Sequence, residues 1–197
     1  KKGHGFSKFY KNELNHLKEK KINILEIGSY SGASAASFVK FYKNSSIYCI
    51  DINISNFIFS SKNIHVFGLD INNEIQLDKT LKSIYLKSNP KFFDIIIDDG
   101  SHNLSDILFS FKNLFKYVKK GGTYIIEDYK YPNYYNYNKN MDHILVDEIL
   151  KKIKKKRLFN SNIFKNTDQI YLQKNIGKIK TYKGNLKDSD ICFIKKN

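Results

Sequence analysis

The sequence has few cysteines and no long apolar run. Cys49 and Cys192 each lie within an apolar run and lack the spacing of a metal site, so we expect reduced core residues in a cytoplasmic protein. No apolar run approaches the roughly 18 residues that a membrane span needs, and we predict no such span. Because the chain begins without methionine and shows no signal-peptide pattern, we expect a fragment or a trimmed chain.

Arginine is nearly absent, although the chain is strongly basic. Lysine and arginine total 34 against 19 acidic residues, a formal net charge of +15, yet Arg157 is the one arginine. The densest cluster, "KKIKKKR" at 151–157, could attract a polyanion or an acidic substrate. Nucleic-acid recognition generally uses arginine for bidentate contacts, and AT-rich codons alone would raise the lysine content. We therefore expect a mainly solvated surface, with nucleic-acid binding as a less favoured alternative.

Short apolar runs alternate with helical patterns over the first 130 residues. Strands are predicted at 23–27, 46–50, 63–67, 93–98 and 123–128, and helices at 33–43, 75–87 and 103–119. In the third helix the apolar residues from Leu104 to Val118 fall on one face, and "GG" at 121–122 is expected to end it. This alternation predicts an α/β fold, a doubly wound Rossmann-like sheet with helices on both faces.

The C-terminal part has a different pattern. A helix is predicted at about 141–156, and "QIYLQ", "KIKTY" and "DICFIKK" follow as extended runs. They predict an antiparallel hairpin at one sheet edge, which gives a mostly parallel, seven-stranded sheet in a single domain over residues 1–197. The segment 131–140, rich in tyrosine and asparagine, is predicted to be a mobile loop.

Glycines and an acid mark the end of the first predicted strand. Glu26, Gly28 and Gly32 precede a helix, where glycine permits close backbone approach and the helix N-terminus favours a carboxylate or phosphate. Tyr30 and Ala33 occupy the second and third glycine positions of the G-x-G-x-x-G dinucleotide motif. A pyrophosphate is therefore not expected.

The second and third strands also lead to acids. Asp51 is placed to accept hydrogen bonds from ribose hydroxyls, and Asp70 is placed to meet an adenine amino group. The pattern resembles the class I S-adenosylmethionine methyltransferases. The sulfonium of their cofactor is positively charged, which suits a site bordered by acids. The predicted cofactor-binding set also includes three neighbouring residues, Ser29, Ile52 and Asp98.

Further acids follow the fourth and fifth strands. Asp98 and Asp99 end "FDIIIDDGSH", and Glu127 and Asp128 end the next strand. Four adjacent carboxylates are costly unless a cation neutralises them. Their hard oxygens predict that Asp99, Glu127 and Asp128 bind Mg²⁺ or another divalent cation.

His102 lies three residues beyond Asp99 and is the predicted general base. An alcohol is about as weak an acid as water, whereas histidine has a pKa near 6.5, so deprotonation by histidine alone would cost roughly 12 kcal/mol. A divalent cation on the alcohol oxygen lowers that cost. The alternative is that His102 only contacts a metal ligand or caps a helix. The other histidines are weaker candidates: His4, His16, His65 and His143.

Four motifs, "ILEIGSYSGAS", "IYCIDI", "IIIDDGSH" and "GGTYIIEDY", carry a family resemblance. They resemble the metal-dependent sugar O-methyltransferases of the mycinamicin and macrocin type and their cephalosporin-hydroxylase-like relatives, over about residues 3–130. The resemblance implies magnesium at Asp99, Glu127 and Asp128, with His102 as base. It also implies that His4 and Tyr10, in the N-terminal segment 1–20, border the cofactor. Lys1 stands where the family has an aspartate.

Three functions follow from these patterns. The leading one is an S-adenosylmethionine-dependent, divalent-metal-assisted O-methyltransferase acting on a hydroxyl of a sugar or similar small molecule. The alternatives are an RNA methyltransferase that uses the basic C-terminal tail and a catalytically inactive methyltransferase fold that serves as a binding module. A homo-oligomer is compatible with each.

Overall fold

The computed structural model describes residues 3–88, 92–136 and 144–197, and within them seven strands form one sheet. The strands are β1 Ile22–Ile27, β2 Ser45–Asp51, β3 Ile64–Gly68, β4 Phe93–Asp98, β5 Val118–Ile126, β6 Ile176–Lys183 and β7 Asp190–Lys196. The α-helices are α1 Ser7–Leu14, α2 Ala33–Phe41, α3 Glu74–Ser88, α4 Leu104–Leu114, α5 Tyr131–Tyr134, α6 Val146–Lys154 and α7 Asn166–Asn175.

The strand order is β3-β2-β1-β4-β5-β7-β6. Strands β1 to β5 pair in parallel, and β7 pairs antiparallel with both β5 and β6. The predicted mostly parallel sheet with a C-terminal antiparallel hairpin is thus confirmed. The order of the strands reverses between β1 and β4, which is where open α/β sheets bind their ligands.

Alternating side chains of the strands feed two apolar clusters on opposite faces of the sheet. In β1, Ile24 belongs to the cluster under α1 and α2, and Leu25 belongs to the cluster under α3, α4, α6 and α7. This period of two is the geometry of an extended strand whose two faces are both covered. The predicted apolar face of α4 is buried in the second cluster, from Leu104 onward.

The third predicted helix ends earlier than the sequence suggested. Helix α4 stops at Leu114, a 3₁₀ turn covers Phe115–Tyr117, and β5 begins at Val118. The two glycines therefore lie inside β5, at a shift in its register with β4. A Cβ on Gly122 would come within 2.8 Å of the Asp94 carbonyl oxygen, so glycine serves close strand approach here and not helix termination.

The prediction that "QIYLQ" is extended was wrong, because these residues lie in α7. Gln169 and Leu172 are its buried residues, spaced by three as on a helix face. The Gln169 side chain accepts from the Phe159 N–H at 2.9 Å and donates to the Phe159 carbonyl oxygen at 2.8 Å. Because Gln169 is buried and Ile170 is exposed, the burial along this helix does not follow the polarity of its side chains, and the local pattern could not reveal it.

The segment 131–140 begins with the short helix α5, and residues 137–140 lie outside the described residues. The predicted helix at 141–156 is present as α6, while residues 141–143 also lie outside them. Among the described residues, no helix is both long and apolar enough to cross a membrane. Cys49 and Cys192 are both buried, as predicted.

Candidate active site

Three turns meet at the carboxyl ends of β1, β4 and β5. The Asp99 N–H donates to the Ile27 carbonyl oxygen at 3.0 Å, and the Glu127 N–H donates to the Asp98 carbonyl oxygen at 2.9 Å. Gly28 has φ of 78°, and a Cβ there would lie 2.0 Å from the Asp99 carbonyl oxygen. The glycine is therefore required for the turns after β1 and β4 to pass so closely. The acids after β4 and β5 are neighbours because these two strands pair in parallel.

Asp99, His102 and Asp128 form a compact cluster. One ligand atom from each lies within 4.8 Å of the others, and this is the one group of such geometry in the described part of the chain. His102 Nε2 is 4.0 Å from Asp99 Oδ1 and 3.8 Å from Asp128 Oδ2. The sequence placed all three in the site, with His102 as a base and not as a ligand.

Asp128 is the most enclosed member of this cluster. Its Oδ2 lies 3.4 Å from His4 Nδ1, and its buried Oδ1 accepts no hydrogen bond from any residue that the structure describes. Burial raises the pKa of Asp128, while the adjacent His102 and His4 act in the opposite direction. A buried carboxylate oxygen of this kind is a suitable ligand for a hard divalent cation.

Glu127 is not a member of that three-residue cluster, and its carboxylate meets the N-terminal helix. It is buried, and Tyr10 donates its hydroxyl proton to Glu127 Oε1 at 2.6 Å. Burial, and then the charge of Glu127, raise the pKa of Tyr10 well above its ordinary value, so the hydroxyl remains a donor. The two N-terminal residues singled out from the sequence, His4 and Tyr10, thus contact the two consecutive acids after β5.

Asp98 points away from this cluster toward the other face of the sheet. Its Oδ2 accepts a long hydrogen bond from the Tyr124 hydroxyl at 3.5 Å, and its Oδ1 accepts one from the Gly100 N–H at 3.3 Å. Its pKa is raised to about 7, chiefly by burial; the Gly100 hydrogen bond acts to lower the pKa, and the charge of Asp99 acts to raise it.

Three non-glycine residues at these turns adopt left-handed backbone conformations. The φ angles are 59° for His102, 49° for Asp128 and 44° for Tyr30. Each such residue costs on the order of 1–3 kcal/mol, and such strain concentrates at functional sites. Tyr30 occupies a position that is glycine in dinucleotide-binding loops, and its N–H donates to Asp51 Oδ2 at 2.7 Å.

A cavity of about 750 Å³ opens beside the turn after β1, between α1 and α2. Its lining includes Gly28, Ser29 and Asp99, and also the aromatic residues Tyr10 and Phe38. Its size lies within the range of small-molecule sites. Three of the predicted cofactor residues, Gly28, Ser29 and Tyr10, therefore border one cavity together with the predicted metal ligand Asp99.

The remaining predicted cofactor residues lie at successive strand ends. Asp51 also accepts from the Asn53 N–H, at 2.9 Å, and Ile52 beside it is 75% exposed. Asp70 is exposed and accepts from the Asn72 N–H at 2.9 Å. Two further members are Glu26, which is buried in β1, and Gly32, which precedes α2 with φ of 81°.

Two site neighbours were not predicted from the sequence. The Tyr131 ring lies 5.5 Å from the His102 ring, and the Ser189 hydroxyl lies 2.8 Å from His4 Nδ1. Ser189 is separated from His4 by 185 residues, so no local signal could have found it. Of the weaker histidines, His65 stacks on Tyr48 and His16 is exposed near α1, while His143 lies outside the described residues.

The strand order, the glycine turn after β1 and the acid after β2 together define the class I methyltransferase fold. Residues 25–129 match the family described as "Methyltransferase domain", and the chain belongs to this family.

Curated relatives share part of the sequence. The chain is 30% identical over 132 residues to the mycinamicin VI 2''-O-methyltransferase of Micromonospora griseorubida. This alignment covers 64% of this chain and 31% of the relative. The match to the demethylmacrocin O-methyltransferase of Streptomyces fradiae is also 30% over 132 residues, covering 64% and 32%. The matched region thus spans about a third of the length of these relatives, and the family resemblance read from the motifs is confirmed.

The fold also matches a solved structure over nearly its whole length. MycE methyltransferase from the mycinamycin biosynthetic pathway, solved with Mg, SAH and mycinamycin VI, aligns with a TM-score of 0.71 at 23% identity. The alignment covers 97% of this chain and 49% of MycE. At this identity the likeness establishes the fold.

Proposed function

We propose that the protein is an S-adenosylmethionine-dependent, divalent-metal-assisted O-methyltransferase acting on a hydroxyl of a sugar or similar small molecule. The observation that carries this proposal is the cluster of Asp99, His102 and Asp128 beside the Gly28 turn. It combines hard oxygen ligands and an imidazole in one place, at the switch point of a methyltransferase sheet.

Asp99 and Asp128 would hold the cation, together with Glu127 as the sequence resemblance implies. The buried, unpaired Oδ1 of Asp128 among the described residues supports this assignment. MycE, whose fold this chain shares, was solved with Mg. When bound, the cation would lower the pKa of the acceptor hydroxyl by attracting the electrons of its oxygen.

His102 would take the proton. As the methyl carbon leaves the sulfonium and bonds to the acceptor oxygen, the hydroxyl proton would pass to His102 Nε2. Asp99 and Asp128 lie 4.0 and 3.8 Å from that nitrogen and would stabilise the imidazolium that forms. The remaining exposure of the His102 side chain, 24%, leaves room for an acceptor to approach.

The turn after β1 and the acids after β2 and β3 would bind the cofactor. Gly28, Ser29 and Gly32 would allow the cofactor to lie close to the backbone of the turn. Asp51 would accept hydrogen bonds from its ribose hydroxyls. Each Asp51 oxygen accepts one backbone N–H and retains further lone-pair capacity. The other proposed contacts are Glu26, Ile52 and Asp70, whereas Asp98 bonds to Tyr124 and Gly100 and is not included.

Calorimetry with S-adenosylhomocysteine and a turnover screen of nucleotide sugars and glycans test this function. We expect excess EDTA to abolish turnover and leave S-adenosylhomocysteine binding nearly unchanged, because the cation would act on the acceptor hydroxyl and not on the cofactor. Asp51→Ala should weaken S-adenosylhomocysteine binding without removing metal binding. Full activity in excess EDTA would contradict the metal assignment, and no cofactor binding at all would contradict the methyltransferase function.

A further inference from the structure

Tyr10 lies between the cavity and the acids after β5. Its ring lines the cavity beside Gly28, and its buried hydroxyl donates to Glu127 Oε1 at 2.6 Å. The two residues are 117 positions apart, so this bond connects α1 to the carboxyl end of β5.

The position of Tyr10 is fixed from two sides. Its ring packs against Phe38 of α2 and Phe193 of β7, with centroid distances of 5.6 Å in both cases. One turn along α1, Glu13 accepts hydrogen bonds from Lys180 Nζ at 2.7 Å and from the Tyr182 hydroxyl. The helix is therefore attached to β6 independently of the Tyr10 hydroxyl.

This arrangement constrains the Glu127 carboxylate. Its Oε1 accepts from a phenol that ring contacts hold in place, so one oxygen of the buried carboxylate is tied to the N-terminal helix. Hydrogen-bond partners of metal-binding carboxylates orient them and tune affinity for the metal.

We propose that Tyr10 is a positioning residue, which orients Glu127 so that its carboxylate completes the cation site of Asp99 and Asp128. The inference rests on the proposed function because it takes Glu127 as a metal ligand. It assigns to the N-terminal helix a direct part in building the metal site.

Titration of the protein with Mn²⁺, followed by calorimetry, tests this role. Tyr10→Phe keeps the ring contacts and removes the hydroxyl, and we expect it to weaken Mn²⁺ binding by about 10-fold. The matched control is Tyr182→Phe, which removes the hydroxyl bond to Glu13 on the same helix and should leave Mn²⁺ affinity unchanged. Tyr182→Phe should also bind S-adenosylhomocysteine as the wild type does.

A double-mutant cycle separates positioning from a general structural effect. In a Glu127→Gln background, Tyr10→Phe should cause no further loss of Mn²⁺ affinity. Equal Mn²⁺ affinity in wild type and Tyr10→Phe, or an additive loss in the double variant, overturns the inference and leaves the proposed function standing. A wild type that binds S-adenosylhomocysteine but no Mn²⁺ overturns the proposed metal site itself.

Discussion

At the scale of single residues, His102 has two possible roles that the geometry brings close together. Its imidazole is close enough to Asp99 and Asp128 to bind a metal ion together with them. It is also placed to accept a proton from an acceptor hydroxyl bound beside the two carboxylates. The two roles differ in what the residue does to metal affinity. A metal ligand contributes to affinity directly, whereas a base does not.

His102→Ala should therefore reduce turnover by roughly 10²–10⁴, the usual contribution of a positioned base, and barely change Mn²⁺ affinity. Steady-state kinetics and Mn²⁺ calorimetry on the same preparation measure both effects. His16→Ala is the control, because His16 is exposed and outside the cluster. A large loss of Mn²⁺ affinity would instead make His102 a ligand, and an unchanged rate would assign the proton to water or a carboxylate.

The residues of the candidate site could largely be predicted from the sequence because chain order and sheet order coincide there. In a parallel sheet each strand end lies at the same edge, so Asp99, His102 and Asp128 could be placed together from their positions after β4 and β5. The contacts of His4 and Tyr10 with Asp128 and Glu127 could not, because they depend on where the N-terminal segment packs.

At the scale of secondary structure elements, α1 depends on an ion pair that crosses to the edge strand β6. Although burial acts to raise it, the hydrogen bonds from Lys180 and Tyr182 lower the pKa of Glu13. The folded-state pKa thus lies below the unfolded value, which is about 4.3. The resulting stability is fully present above the unfolded pKa and is lost as pH falls through the folded-state pKa.

Glu13→Gln should lower the free energy of unfolding by about 1 kcal/mol at neutral pH, since the site is partly exposed. The difference from wild type should shrink as the pH is lowered and disappear in acid. Urea denaturation at several pH values measures it, with Glu19→Gln as the exposed control. A difference that is constant with pH would mean that the Glu13 charge does not stabilise the fold.

Most elements of the fold were predictable because their patterns are long and regular. Strands β1 to β4 and the apolar face of α4 were placed to within about one residue, whereas β5 begins at Val118, before its predicted start at 123. The exceptions have local causes. Glycines 121 and 122 serve a strand irregularity and not a helix end, and α7 buries a glutamine whose partners lie outside the helix. The local sequence cannot show which role these glycines and this glutamine have, because the contacts that decide it are with residues distant in the chain.

At the scale of the whole molecule, the sheet separates two apolar clusters that have different neighbours. The cluster under α1 and α2 includes Phe6, Tyr10 and Phe38 and adjoins the cavity. The cluster on the other face draws on α3, α4, α6 and α7. A ligand in the cavity would thus contact one face of the interior directly and the other only through the sheet.

The two cysteines allow the opening of each apolar cluster to be measured separately, from the rate at which its thiol is labelled. Cys49 belongs to the cluster under α1 and α2, and Cys192 belongs to the opposite one. Burial raises the pKa of the Cys49 thiol to about 12 and that of Cys192 also well above its ordinary value, so each should react with an alkylating reagent only when its own helical layer opens. We expect S-adenosylhomocysteine to slow labelling of Cys49 more than that of Cys192, as mass spectrometry of timed samples would show. Rapid labelling of both in the native protein would mean that neither layer protects its thiol.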